Sequence, residues 1–194
     1  MTIISFFIQD WEDFSKKHNG SLKITKTGLS PLGGGMSVWQ RVYLTIPHYD
    51  SNIVFFTGEA AQMRIYYDFK KDIRFNFLIY KEDYLDKIGK RFNLINEIEI
   101  NDSEFDKVFI IKSNDESLVK KVLCKSIKEF LIMNRMYLAN FKLDKEKNTT
   151  VLNLNAPFDE NNLTHMEDVL SFMKKTIDII VGFNTKTNAN NKQA

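Results

Sequence analysis

The stretch from about residue 160 to 183 constrains the fold more than any other part of the chain. Its apolar side chains (Leu163, Met166, Val169, Leu170, Phe172, Met173, Ile177, Ile179, Ile180, Val181 and Phe183) spread over an arc of roughly 200° when wound at the helical repeat. Glu167, Ser171, Lys174, Lys175 and Asp178 fill the remainder. A surface helix needs an apolar stripe of only about 100°. The pattern therefore predicts a helix covered on two sides: cradled by a curved sheet, sandwiched under another element, or pressed against a second subunit. Leu163, Met166, Leu170, Met173, Ile177 and Ile180 also step 3-4-3-4-3, the spacing of a coiled-coil seam, which keeps open a homodimer formed through this C-terminal helix. The wide arc fits burial within one chain better than a narrow seam does.

The rest of the chain supplies what such a helix could pack on. Residues 3–18 read as an amphipathic helix, with Ile4, Phe7, Ile8, Trp11 and Phe14 on one face and Asn19-Gly20 as its stop. The period then changes to two. Strands are predicted over 21–27, 37–46, 52–57, 61–69 and 72–80, joined by short links that imply hairpins and an antiparallel sheet. Two more strands are predicted over 94–100 and 105–112. Ser113 and Glu116 have the spacing of a capping box, opening a helix through about Met136 that breaks near Ser126. Strands over 137–144 and 149–155 precede the long last helix. The expectation is a single α+β domain over 1–183, a mainly antiparallel sheet with an N-terminal amphipathic helix, a middle helix and a long buried C-terminal helix. Residues 184–194 read as a disordered polar tail.

Composition narrows the function classes. Hydrophobic residues make up 43% of the 194, with 16 Phe and 7 Tyr, enough for one sizeable core. The net charge is +2, with both signs spread along the chain, which argues against a nucleic-acid partner. The opening MTIISFFIQDWEDF lacks a basic start and is interrupted by acids, and no run reaches the length of a membrane span. One cysteine, Cys124, leaves no internal disulfide. These signals give a cytoplasmic expectation, under which the sequons at Asn101, Asn148 and Asn162 are chance occurrences.

No catalytic, cofactor-binding or metal-ligating residue is assigned. His18, His48 and His165 lie far apart and match no metal or nucleophile signature. His18, on the apolar face of the first helix, reads as a core or C-cap residue, and Cys124 as a buried inert thiol within the middle helix. Glu97 and Glu99 have no partner that would tune one against the other. The glycine cluster Gly28–Gly35 leads into a strand and lacks a following GK[ST], so it reads as an inter-strand connection and not a phosphate loop.

One constellation suggests binding. Only five of the 27 cationic residues are Arg, and three of these fall in predicted strands. Strand alternation sets Val42, Leu44 and Ile46 on one face and Trp39, Arg41 and Tyr43 on the other. It likewise separates Met63, Ile65 and Tyr67 from Arg64 and Tyr66, and Ile73, Phe75, Phe77 and Ile79 from Arg74 and Tyr80. The second face would present Trp39, Arg41, Tyr43, Arg64, Tyr66 and Arg74. Arg beside aromatic rings suits anionic or planar ligands, although cross-strand Arg–aromatic pairs also cover ordinary solvated faces.

At Phe105-Asp-Lys-Val-Phe109-Ile-Ile-Lys-Ser113-Asn-Asp115, with Leu123 in the following helix, the chain resembles a bacterial family of uncharacterised proteins with an FD-x-x-F strand, a Ser/Asp turn and a helix. The match spans about 30 residues. Many members look membrane-anchored, and this chain departs from them in that respect. The resemblance implies no activity, cofactor or site residue. By strand parity Phe105 and Phe109 face opposite to Val108 and Ile110, with Ser113 capping the helix. The reading that results is a non-enzymatic binding or interaction module acting through a sheet face or as a homodimer. The alternative is a soluble enzyme or small-ligand carrier with its site between the sheet and the C-terminal helix.

Overall fold

The computed structural model describes residues 4–29, 38–57, 62–81, 97–135, 138–146, 149–157 and 163–190. Helix α1 (Ile4–Lys17) is followed by β1 (Ser21–Leu29), β2 (Val38–His48), β3 (Ser51–Thr57) and β4 (Gln62–Phe69). Strand β5 (Phe77–Tyr80), the helical turn α2 (Ser103–Asp106), β6 (Ile110–Ser113), α3 (Glu116–Val122) and α4 (Lys125–Met133) come next. Strands β7 (Asn140–Glu146) and β8 (Thr149–Pro157) lead into α5 (Leu163–Asn190). Every strand pair is antiparallel, and the order across the eight-stranded sheet is β1-β2-β3-β4-β8-β7-β5-β6. The α+β architecture is the one expected from the sequence.

One face of this sheet is the floor of the core. Reading across the register, Leu44, Phe55, Ile65, Leu154, Phe141, Ile79 and Ile111 form a continuous row, each buried to within 1% of complete. A row made of large side chains on seven neighbouring strands ties the register together, because a one-residue slip would turn a strand's whole set to the opposite face. Helix α5 lies on this floor. Phe172 meets Phe141 of β7 at 5.0 Å between ring centroids and stacks on Phe130 of α4 at 4.1 Å. Met166, Val169, Met173, Thr176, Ile177 and Ile180 are buried with it. The wide apolar arc is thus used within one chain, against the sheet below and α4 beside. Leu170 and Ile177, two of the seam positions, are themselves core residues.

On the opposite flank, Trp11 and Phe14 of α1 enter the same core, Phe14 edge-on to Phe55. Asn19 ends α1 with a positive φ of 53°, and Gly20 follows where the chain crosses β2. A Cβ at Gly20 would lie 2.4 Å from the Thr45 carbonyl oxygen, so only glycine lets α1 turn directly into β1.

The structure moves several predicted boundaries. The expected hairpin over 61–69 and 72–80 does not form: only Phe77–Tyr80 is strand, and β8 takes the edge of β4, pairing along its whole length from Gln62 to Phe69. The Lys70-Lys71-Asp72 link lacks the Asn-Gly or Asp-Gly chemistry that a tight hairpin turn needs. By contrast β2 and β3 close through Tyr49 and Asp50, with Tyr49 at a φ of 50°.

The predicted strand over 105–112 is a helical turn followed by a shorter strand. Asp102 caps that turn by accepting from the Phe105 N–H. Phe105 and Phe109 are both buried, with rings 4.8 Å apart, and Val108 and Ile110 are less so, as strand parity also has it, but a helical turn brings the two rings together. The cap of α3 is Asp115, which accepts from the Leu118 N–H at 2.9 Å. Ser113 sits one step earlier, its Oγ accepting from the Asp115 N–H and donating to the Asn76 carbonyl. The expected break in the middle helix falls at Leu123–Cys124, which makes Cys124 the first, side-chain-free cap of α4 and not an interior residue.

From the predicted strand over 94–100 the described part shows a single bridge, Glu97 to Lys112. Helix α5 runs to Asn190, past the predicted end at 183, because neither Gly nor Pro interrupts 184–190. Residues 191–194 and most of the Gly28–Gly35 cluster lie outside the described residues. No helix among the described residues is long and apolar enough to cross a membrane.

Candidate functional site

The sheet face turned away from α5 divides into two halves. Along β5 and the middle of β8 it is closed, with Leu78 and Tyr80 2% exposed and Asn153 fully buried, and the polar Asn140, Lys142 and Asn155 beside them are partly exposed. Burial, with a smaller contribution from the Glu97 charge, pushes the Tyr80 hydroxyl up. Around β2, β3 and β4 the same face is half open, and it is there that the structure gathers most of the residues singled out in the sequence.

Strand pairing sets Tyr43, Phe56 and Arg64 in one row and Thr45, Val54 and Tyr66 in the next. Tyr43 and Phe56 rings lie 4.9 Å apart, and the Arg64 guanidinium carbon is 4.8 Å above the Tyr66 ring. All four are only partly buried. Burial, reinforced by the Asp68 carboxylate, pushes the Tyr66 hydroxyl up despite the nearby Arg64 charge. The Tyr66 hydroxyl is thus held in its neutral form, and the patch is a largely apolar surface with polar handles.

Arg64 is committed to the protein. Its Nε donates to Asn153 Oδ1 at 2.6 Å and its Nη2 to Glu146 Oε2 at 2.8 Å. Glu146 Oε1 also accepts from Asn153 Nδ2 and from Lys142 Nζ, at 3.0 and 3.1 Å. Burial pushes the Glu146 carboxyl up, but the hydrogen bonds from Lys142 and Arg64 outweigh it and hold the group below the usual carboxylate range. Two cations share one carboxylate around a buried amide, and this network joins β4, β8 and β7 on the outer side as the apolar row does on the inner.

The remaining residues of the expected Arg–aromatic face separate. Arg41 is exposed on β2 beyond the end of its pairing with β3, facing Thr25 of β1. Trp39 occupies the same alternating set of β2, opposite Thr27, and its side chain lies outside the described residues. Arg74 is not on the strand that was predicted for it. It stands in the exposed segment before β5, its carbonyl accepting from Asn114 Nδ2, with β8 and β7 between β5 and β4. The cluster is thus Tyr43, Arg64 and Tyr66, with Arg41 at its margin. Val54 and Phe56 complete it. They were not singled out, yet Ile53-Val54-Phe55-Phe56 is apolar at consecutive positions, where an antiparallel strand with one solvent face should alternate.

A second feature lies on the flank of α5. Glu167, Ser171, Lys174, Lys175 and Asp178 follow helical spacing along one stripe and, with Leu170 and His18, line a groove of about 350 Å³. His18 Nε2 lies 3.0 Å from both Glu167 carboxylate oxygens, and Lys17 Nζ is 2.6 Å from Oε1. Burial pushes the Glu167 carboxyl up, and the Lys17 and His18 contacts hold it below its usual range in spite of that. At the other end, His48 Nε2 is 3.0 Å from Asp178 Oδ1. His18 is therefore the half-buried residue following α1 that its position predicted, packed on Phe14 at 4.7 Å. Among the described residues no group of three or more His, Cys, Asp or Glu is placed to hold a metal ion.

The groove lies outside the sheet–helix interface, which Phe55, Phe141, Phe172 and Met173 fill.

No family model matches the sequence, and no curated protein matches it. Among solved structures the chain is similar to the crystal structure of the mycobacterial trehalose monomycolate transport factor A, TtfA, at a TM-score of 0.56 and 9% identity, over 90% of this chain and 94% of that one. At such identity the likeness is one of fold. It runs through nearly the whole of both chains.

Proposed function

We propose that this chain is a non-enzymatic binding module that acts through the open half of its outer sheet face, the surface made by Tyr43, Val54, Phe56 and Tyr66. The observation that carries this is a contrast in chemistry within one face: the partly exposed positions of β7 and β8 are the polar Asn140, Lys142 and Asn155, whereas β2–β4 keeps aromatic rings partly in water. Rings with two torsions each and a polar tip contribute contact area at low entropic cost. Because Arg64 is neutralised by Glu146, the surface favours an apolar or planar partner over a simple anion. Arg41, at the margin, supplies the remaining positive charge. The single thiol is compatible with a reducing compartment. The likeness of fold to a transport factor is in keeping with a role in carrying or assembly. A homodimer through the heptad stripe of α5 is disfavoured, since Leu170 and Ile177 are spent in the core.

Native mass spectrometry of the protein purified from its source tests the reading. A bound partner or ligand is expected, and it should be lost from a Tyr43→Ser, Phe56→Thr variant of unchanged fold. A mass equal to the bare chain, or a partner retained by that variant, removes the proposal.

A further inference from the structure

The groove on the flank of α5 carries charges that its neighbours do not use. Both of its carboxylates are matched locally: Glu167 by Lys17 and His18, Asp178 by His48. The Tyr49 hydroxyl, pushed up chiefly by its hydrogen bond to Asp178, adds a second partner there. Lys174 and Lys175, between these ends, have no carboxylate within ion-pair distance among the described residues. Three lysines against two carboxylates leave one excess positive charge, before either histidine is protonated.

The spacing of the unused donors is specific. Glu167 and Asp178 stand eleven residues apart, about 16 Å along the axis, and Ser171, Lys174 and Lys175 fall between them. Counted from Ser171 the lysines are at i+3 and i+4, the two positions that neighbour it on a helix surface. Ser171 thus stands between the two lysines, and all three line the groove together with Leu170. Ammonium groups act as point charges with freely rotating donors, which suits a tetrahedral oxyanion. The Arg fork, which matches carboxylate and phosphate alike, is absent from the described lining, so lysine alone carries the positive charge there, as it does in many phosphate sites. The volume of about 350 Å³ is at the small end for a ligand pocket.

From this geometry we infer that the α5 groove binds a phosphate-bearing anion through Ser171, Lys174 and Lys175, at a site separate from the outer sheet face. The phosphate can belong to a small soluble ester or to a lipid headgroup, and the same donors serve both.

The test uses the full chain, labelled with nitrogen-15, titrated with glycerol 3-phosphate at constant ionic strength. Saturable shifts are expected at the amides of Ser171, Lys174 and Lys175. Affinity should fall by about tenfold or more in Lys174→Gln, Lys175→Gln, the loss that one charge-assisted hydrogen bond commonly represents. It should be unchanged in Phe56→Thr, which separates this site from the outer face. In a parallel arm the chain is sedimented with phosphatidylcholine vesicles, with and without phosphatidic acid. Binding that needs phosphatidic acid and is lost in the double variant assigns the phosphate to a lipid. The exposed Lys175→Glu variant provides the same readout if the double variant melts early. No saturable shift at millimolar ester together with no vesicle binding, or equal binding by wild type and variants, overturns the inference.

Discussion

Phe55 and Phe56 are adjacent in the chain and inhabit different parts of the molecule. Phe55 points to the floor of the core, fully buried beside Leu44, Ile65 and the edge of Phe14. Phe56 points the other way, partly in water, with Tyr43 beside it and Arg64 across. The two faces of β2–β4 therefore do separate jobs. The inner face holds α5 and α1, and its apolar burial supplies most of the stability, at about 25 cal/mol for each Å² removed from water. The outer face keeps its aromatic rings partly in water, and the proposed binding role rests on that contrast.

The largest effects should come from the inner side. Ile177→Asp or Met173→Asp would bury an unpaired charge between α5 and the sheet, at a cost of about 3 kcal/mol or more. A variant melting within a degree or two of wild type would show that α5 is not packed on the sheet. Gly20→Ala should cost about 2 kcal/mol, because the added methyl meets the Thr45 carbonyl and Ile46 side chain. Chemical denaturation measures it, and an unchanged midpoint would mean that α1 and β2 have room to separate.

The outer polar network should matter at an intermediate level and show itself through pH. Glu146 and Glu167 are both held below the usual carboxylate range in the folded chain. The unfolded chain therefore binds more protons than the folded one as acid is added. The stabilisation from these groups is complete above the usual carboxylate range and drains away as pH falls through their lowered values. Glu146→Gln should flatten that acid limb and cost about 1 kcal/mol at neutral pH, leaving Arg64 and Lys142 without their shared counter-charge. An acid limb identical to wild type would remove Glu146 from the account.

How far the sequence revealed this arrangement depended on the range of the contacts involved. The two-sided burial of α5, the Asn19-Gly20 stop and the alternation of faces over Arg41–Ile46 and Met63–Phe69 follow from local periodicity, and the structure has them. What periodicity could not supply was pairing between distant segments. Nothing near β4 announces that β8 takes its edge, so Arg74 was placed beside Arg64 when two strands stand between their segments. The partners that neutralise Arg64, Asn153 and Glu146, are 89 and 82 residues away along the chain. Short polar elements were misread for another reason. Asp102 offers the Phe105 N–H a local partner, which makes a helical turn of a β-like run, and Asp115 in place of Ser113 does the same for the first turn of α3. Val54 and Phe56 could have been found, since an unbroken apolar run in a strand with one open face is itself a signal.

The smallest expected effect is also the most direct test, and it compares the two adjacent phenylalanines. Phe55→Thr and Phe56→Thr each replace one strand-favouring residue by another and differ in little but the face they alter. Equilibrium denaturation of the two variants under identical conditions should give a loss of about 3–5 kcal/mol for Phe55→Thr. For Phe56→Thr the loss should stay below about 1 kcal/mol, with the same denaturant slope as wild type. Losses of equal size would mean that the outer half-face is part of the folding core, and would contradict its assignment as a binding surface.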